Sequence, residues 1–141
     1  MIELLRLQPG MTVCDLGSGC GLTGNTFAKF GCTVVGFEPG KKSVEIAKEY
    51  AKKIGVTKKV KYIHGYTNDL IGDQIFDRLH TGYMLNEKNA LKYVTNNLRK
   101  GGIAVMNVGG YNNGAVFVYS KDKDGHIKKK HSGLNVIFQE D

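Results

Sequence analysis

Apolar positions along this chain come in short blocks, and the spacing within the blocks alternates between two kinds. Val13, Cys14 and Leu16 make Thr12–Leu16 a buried strand, which Gly17 breaks ahead of a glycine-spaced turn and a helix reaching about Phe30. Thr33–Glu38 is a second strand, ended by Pro39 and Gly40. From Ser43 to Ile54 the spacing predicts a helix with Val44, Ala47, Ala51 and Ile54 on one stripe and lysines and glutamates opposite. Val60–His64 reads as a third strand, and Phe76 to His80 as a short fourth. A helix from Glu87 to Arg99 directs Leu91, Val94 and Leu98 inward and stops at Gly101 and Gly102, before a fifth strand from Ile103 to Val108. Strand and helix alternate to this point, as in a parallel sheet covered on both faces by right-handed crossovers. Ala115 to Tyr119 and Asn135 to Phe138 then read as strands joined through a tight turn at Asp124-Gly125. The expected fold class is α/β, a doubly wound and mostly parallel sheet with an antiparallel C-terminal addition.

Length and composition narrow this picture. A chain of 141 residues with 41% hydrophobic content fits a single domain over residues 1–141 with a core of its own. No apolar run approaches the roughly 18 residues of a membrane span, and the first ten residues lack a leader pattern, so no membrane is expected and the default compartment is cytoplasmic. The formal charge is +7, but the lysines are dispersed with few arginines or aromatics among them, which argues against a nucleic-acid groove. Cys14, Cys20 and Cys32 form no CxxC pair and read as reduced, buried small hydrophobes. The histidines show no metal-ligand spacing. His126 and His131, beside Lys128, Lys129 and Lys130, belong to a solvated edge that discourages pairing with other chains. Asp69 and Asp73 read as capping or solvated residues. The pattern leaves the oligomeric state open.

The chemistry concentrates after the first strand, where a doubly wound sheet places its ligand. The loop Asp15-Leu16-Gly17-Ser18-Gly19-Cys20-Gly21 spaces its glycines as GxGxG. The dinucleotide fingerprint GxGxxG would need glycine where Leu22 stands, so a pyrophosphate ligand is disfavoured. Asp15 repels phosphate but suits a ligand with an ammonium group, such as the methionine part of S-adenosylmethionine. Glu38, closing the second strand, has two acceptor oxygens for the hydroxyls of a ribose.

With these residues the sequence resembles class I methyltransferases, whose fold is Rossmann-like. Its other motifs resemble the protein-L-isoaspartate O-methyltransferases. They are Leu4-Leu5-Arg6-Leu7-Gln8-Pro9-Gly10, Phe76-Asp77-Arg78-Leu79-His80-Thr81-Gly82, Leu98-Arg99-Lys100-Gly101-Gly102, Asn107-Val108-Gly109-Gly110, and the charged hairpin 121–128. The resemblance implies methyl transfer from S-adenosylmethionine to the free α-carboxylate of L-isoaspartyl residues, with damaged proteins or peptides as substrates. It assigns cofactor binding to Asp15, Gly17, Ser18, Gly19, Cys20, Gly21 and Leu22, to Glu38 and Pro39, to Gly65 and Tyr66, and to His80, which could equally be structural. It assigns no catalytic side chain and no metal.

The departures from the family pattern are specific. The family carries a further N-terminal segment with a catalytic serine or threonine, and the reading expects this chain to lack it. Tyr66 stands where the family has an acidic group near the adenine, and stacking there would partly compensate. Tyr83-Met84-Leu85-Asn86 replaces an Ala-Pro-rich substrate loop, and Asn107 replaces a proline. Two alternatives therefore stay open: a cofactor-binding module without catalysis, and a methyltransferase for another substrate, such as a small molecule or RNA.

Overall fold

Seven strands form one sheet in the order β3-β2-β1-β4-β5-β6-β7 in the computed structural model of the chain, which describes residues 1–65, 70–110 and 113–136. The strands are β1 (Thr12–Leu16), β2 (Thr33–Glu38), β3 (Val60–His64), β4 (Phe76–Leu85), β5 (Leu98–Val108), β6 (Gly114–Lys121) and β7 (Ile127–Val136). The first five pair in parallel, while β6 and β7 are antiparallel additions at one edge. Helices α1 (Ile2–Leu5), α2 (Leu22–Lys29), α3 (Lys41–Ile54) and α4 (Glu87–Asn97) cover the faces.

Side chains alternate across each strand, so successive residues of β1 enter different cores. Val13 joins Leu5, Phe27, Val34, Val44, Ala47 and Val105 under α1, α2 and α3. Cys14 and Leu16 join Phe37, Leu79, Val94, Met106 and Tyr119 under α4. Burial on both sides explains why β1 carries apolar residues on each of its faces. The order reverses at β1, with β2 on one side and β4 on the other, which opens a crevice beyond their carboxyl ends.

Beyond the five parallel strands and the hairpin, several details depart from the sequence reading. α3 starts at Lys41 rather than Ser43. β4 continues past His80 to Leu85 through a register shift between His80 and Met84. The Thr81 hydroxyl accepts from the Asn107 amide at 2.8 Å there, a bond that proline at 107 would remove.

The helix expected to reach Arg99 ends at Asn97, because Leu98 already pairs with Phe76 in the sheet. Its buried stripe is Ala90, Tyr93, Val94 and Asn97, while Leu91 is 46% exposed. Asn97 on that stripe donates to the carbonyls of Gly72 at 3.0 Å and Gln74 at 2.9 Å. The buried Lys121 ammonium donates to the carbonyls of Thr95 at 2.9 Å and Leu98 at 2.7 Å, closing the helix end. Gly101 and Gly102 lie in a bulge of β5, between the Phe76–Leu98 and Arg78–Ile103 pairs.

The last strand begins at Ile127, not Asn135, so Lys128, Lys129 and Lys130 are strand residues on the sheet edge. Cys14 and Cys32 are buried, but Cys20 is exposed because it lies on the outer side of the glycine turn. Tyr66, Asp69 and Phe138 fall outside the described residues. No helix among the described residues is long and apolar enough to cross a membrane.

Candidate functional site

The three glycines of the turn after β1 serve different ends. A Cβ at Gly17 would overlap the ring of Tyr83, and one at Gly82 would overlap the Gly17 carbonyl, so this first glycine admits the extension of β4. A Cβ at Gly21 would stand 2.7 Å from that of Ala47, so the third glycine admits α3. Gly19 alone has nothing within 4 Å of its Cβ position and faces open space with φ +56°. Of the three, the middle glycine is the one whose open side a ligand can approach closely.

The turn is held by β2. The amides of Gly17 and Ser18 both donate to the Phe37 carbonyl, at 2.8 and 3.0 Å. Glu38 Oε1 accepts from the Gly19 amide at 3.0 Å, and Oε2 from the Gly40 amide at 2.8 Å. The Glu38 carbonyl accepts from the Gly65 amide at 2.9 Å, and His64 Nε2 lies 3.0 Å from the Pro39 carbonyl oxygen. Glu38 thus ties together the ends of β1, β2 and β3. Each carboxylate oxygen still has a lone pair for a further donor. Leu22, at the start of α2, is 69% exposed.

Asp15 and His80 meet in register on β1 and β4, with Nδ1 of His80 2.7 Å from Oδ1 of Asp15. The His80 and Phe27 rings meet in a T-shaped arrangement with centroids 5.7 Å apart. Asp15 is 1% exposed, so it lies beneath the turn and not on the open side that Gly19 and Glu38 face. Burial pushes its carboxyl above the usual range, His80 pulls it back, and the charge of Glu38 raises it further.

A neighbouring polar hub was not evident from the sequence. The Tyr62 hydroxyl donates to Oδ1 of Asn25 at 2.6 Å, and Nδ2 of Asn25 donates to the Ala47 carbonyl at 3.3 Å. Burial first, and Asp15 second, raise the Tyr62 hydroxyl well above its ordinary value. Asparagine inside the apolar stripe of α2 was the available signal. Ser18 Oγ is buried without a partner among the described residues. The open middle glycine and the Glu38 carboxylate fit a polar ligand with hydroxyl groups at the turn, while Ser18 Oγ packs against Gly36 of β2.

Comparison with known proteins gives a consistent picture. The sequence model of the protein-L-isoaspartate(D-aspartate) O-methyltransferase family matches residues 1–139. A ubiquinone biosynthesis O-methyltransferase from Paramagnetospirillum magneticum is 39% identical over 54 residues, covering 38% of this chain and 22% of that protein. A methyltransferase from Thiobacillus denitrificans, solved with S-adenosyl-L-homocysteine, is 30% identical with a TM-score of 0.67, covering 74% of this chain and 44% of the other. A Plasmodium falciparum structure described as a protein-L-isoaspartate O-methyltransferase, also solved with that ligand, has a TM-score of 0.76 at 22% identity. It covers 97% of this chain and 67% of its own, and at that identity it speaks for the fold. The chain spans well under half the length of the curated relatives it matches, 22% for the first and 30% for YjhP of Escherichia coli.

Proposed function

Because the chain belongs to the protein-L-isoaspartate(D-aspartate) O-methyltransferase family, we propose that it binds S-adenosylmethionine at the glycine turn and methylates the free α-carboxylate of L-isoaspartyl residues in damaged proteins. The observation that carries this reading is the coupling of the open Gly19 to the Glu38 carboxylate at 3.0 Å. Glu38 takes the ribose hydroxyls through its remaining lone pairs, with Gly40 and Gly65 holding it in place. Pro39 shapes the same strand end. The first turn of α2 has no side-chain cap, so its free amides donate to the methionine carboxylate. Asp15 and Glu38 together supply negative charge for the cationic ammonium and sulfonium, Asp15 from beneath the turn and with His80 as its positioning partner.

When bound, the cofactor would supply an activated methyl group for transfer to the acceptor carboxylate oxygen, giving a methyl ester and a neutral thioether. A carboxylate acceptor is ionised at neutral pH, so the chain needs no general base and contributes alignment instead.

A second reading, methylation of a different acceptor, is favoured by Tyr83. Its ring, carried within β4, lies against Gly17 of the glycine turn. Incubation with radiolabelled S-adenosylmethionine and an isoaspartyl peptide decides between them. Base-labile ester on that peptide, and none on its aspartyl counterpart, supports repair. Cofactor binding without ester formation rejects it in favour of another acceptor or a module without catalysis.

A further inference from the structure

A second charged region lies far from the glycine turn, on the sheet face that carries α1. A cavity of about 550 Å³ opens there between the end of α1 and strands β5 to β7. Its floor is apolar, made by Leu4, Ile103 and Val118. Around it stand Arg6 from the end of α1, Ser120 of β6, and Lys128, Lys129, Lys130, His131 and Ser132 of β7, the side chains of Lys129 and His131 packing against Phe117. Ile103 pairs with Arg78, and Arg78 with Val13, which places the cavity toward the amino ends of the parallel strands.

The register of the hairpin separates two kinds of lysine. Val118 pairs with Lys130 and Ser120 with Lys128, so these four side chains share one face. Tyr119 pairs with Lys129 on the opposite face, where Lys129 Nζ lies 2.7 Å from Glu87 Oε1 and 4.2 Å from the Phe117 ring centroid. The opposite face thus neutralises its lysine. Lys128, Lys130 and Arg6 form no ion pair with a described residue.

The α1 side is fixed in place. Arg6 adopts φ 48° and ψ 49°, the one non-glycine positive φ among the described residues, a conformation that L-residues rarely take. The buried Arg78 holds that turn from below, with Nε donating to the Leu5 carbonyl at 2.5 Å and Nη2 to the Arg6 carbonyl at 3.4 Å. A buried guanidinium therefore pins the backbone of Arg6 and leaves its own side chain exposed.

We propose that this cavity binds a small phosphomonoester, with the phosphate among Arg6, Lys128 and Lys130 and an apolar or ring-shaped body on the Leu4, Ile103 and Val118 floor. With Lys129 paired to Glu87, three cations stand against the single lining carboxylate, Glu3, and leave a surplus near two charges. A phosphomonoester carries about −1.5 to −2 at pH 7 and matches that surplus, whereas a carboxylate carries half as much. Ser120 and Ser132 donate to the remaining phosphate oxygens. The volume falls inside the roughly 300–1,000 Å³ of small-molecule sites.

Titration of phenyl phosphate into the full chain, followed by two-dimensional amide NMR, tests the proposal. Saturable shifts confined to Arg6, Ser120 and residues 128–132 are expected. Replacing both Lys128 and Lys130 by Gln should weaken binding at least about tenfold, as should Arg6→Gln to a smaller degree. Lys129→Gln should leave it unchanged, and all variants should keep wild-type affinity for S-adenosylhomocysteine. Absence of saturation, equal affinity for benzoate, or an equal loss in Lys129→Gln would each overturn the site. Tighter binding of an acidic peptide or an oligonucleotide, weakened alike by all three lysine changes, would reduce it to surface charge.

Discussion

The β1–β4 pair carries a polar clasp at each end, each joining residues 65 apart in sequence, and the two are built in opposite ways. At the amino ends, Oδ2 of Asp77 accepts from the Thr12 amide at 2.8 Å and the Thr12 hydroxyl at 3.1 Å, while Oδ1 pairs with Arg99. Burial works against this carboxylate, but the Thr12 and Arg99 contacts outweigh it and hold it below its usual range. At the carboxyl ends, Asp15 is fully buried, its side chain has His80 as its hydrogen-bond partner among the described residues, and it lies above its usual range with Glu38 adding repulsion. One carboxylate is fully satisfied and serves the fold. The other holds negative charge that His80 offsets only in part, which suits a cationic ligand better than it suits stability.

The largest effect expected at the upper end is steric. Gly17→Ala puts a methyl group into the Tyr83 ring at φ +75°, and should cost about 3 kcal/mol in urea unfolding. Gly19→Ala meets no atom within 4 Å and should cost only about 1 kcal/mol while weakening the ligand. Equal costs would contradict the division of the turn into packed and open glycines.

Asp77→Ala should cost about 2 kcal/mol by leaving the Thr12 amide and Arg99 without their partner, with cofactor affinity unchanged. Asp15→Asn should change neutral-pH stability by less than about 1 kcal/mol and weaken the cofactor instead. Swapped phenotypes would reverse the roles of the two ends.

The smallest effect is the opposite pH dependence of these variants. A carboxylate lowered by folding binds fewer protons folded than unfolded, so the contribution of Asp77 is present above its ordinary value of 3.8 and is lost on acidification. A raised carboxylate does the reverse. The contribution of Asp15 is present below 3.8 and is lost as pH rises through its elevated value. Urea midpoints across acidic pH should therefore converge for wild type and Asp77→Asn as pH falls. For Asp15→Asn the gap should instead shift in favour of the variant as pH rises.

What the sequence displayed and what it hid differ in range. The GxGxG turn and Glu38 were legible because their constraints are local: a turn needs glycines, and a strand end exposes its acid. The roles of Gly17 and Gly21 were not, since they answer to Tyr83 and Ala47, far away in the chain. Leu91 looked inward by periodicity alone, yet Asn97 and Lys121 set the helix against the sheet through carbonyls that no pattern marks. Nothing local marks the role of Arg78, whose purpose appears only when the end of α1 lies over it. The lysines of β7 read as one run, and strand alternation splits them between two faces.

The central claim is that Glu38, held by Gly19 and Gly40, grips the sugar of an adenosyl ligand. Calorimetric titration of S-adenosylhomocysteine into wild type and Glu38→Gln tests it most directly, with circular dichroism confirming that both are folded. Saturable binding by wild type and a loss of about a hundredfold in the variant are predicted, the worth of two charge-assisted hydrogen bonds. Equal affinities, or no heat from well-folded wild type, would contradict it.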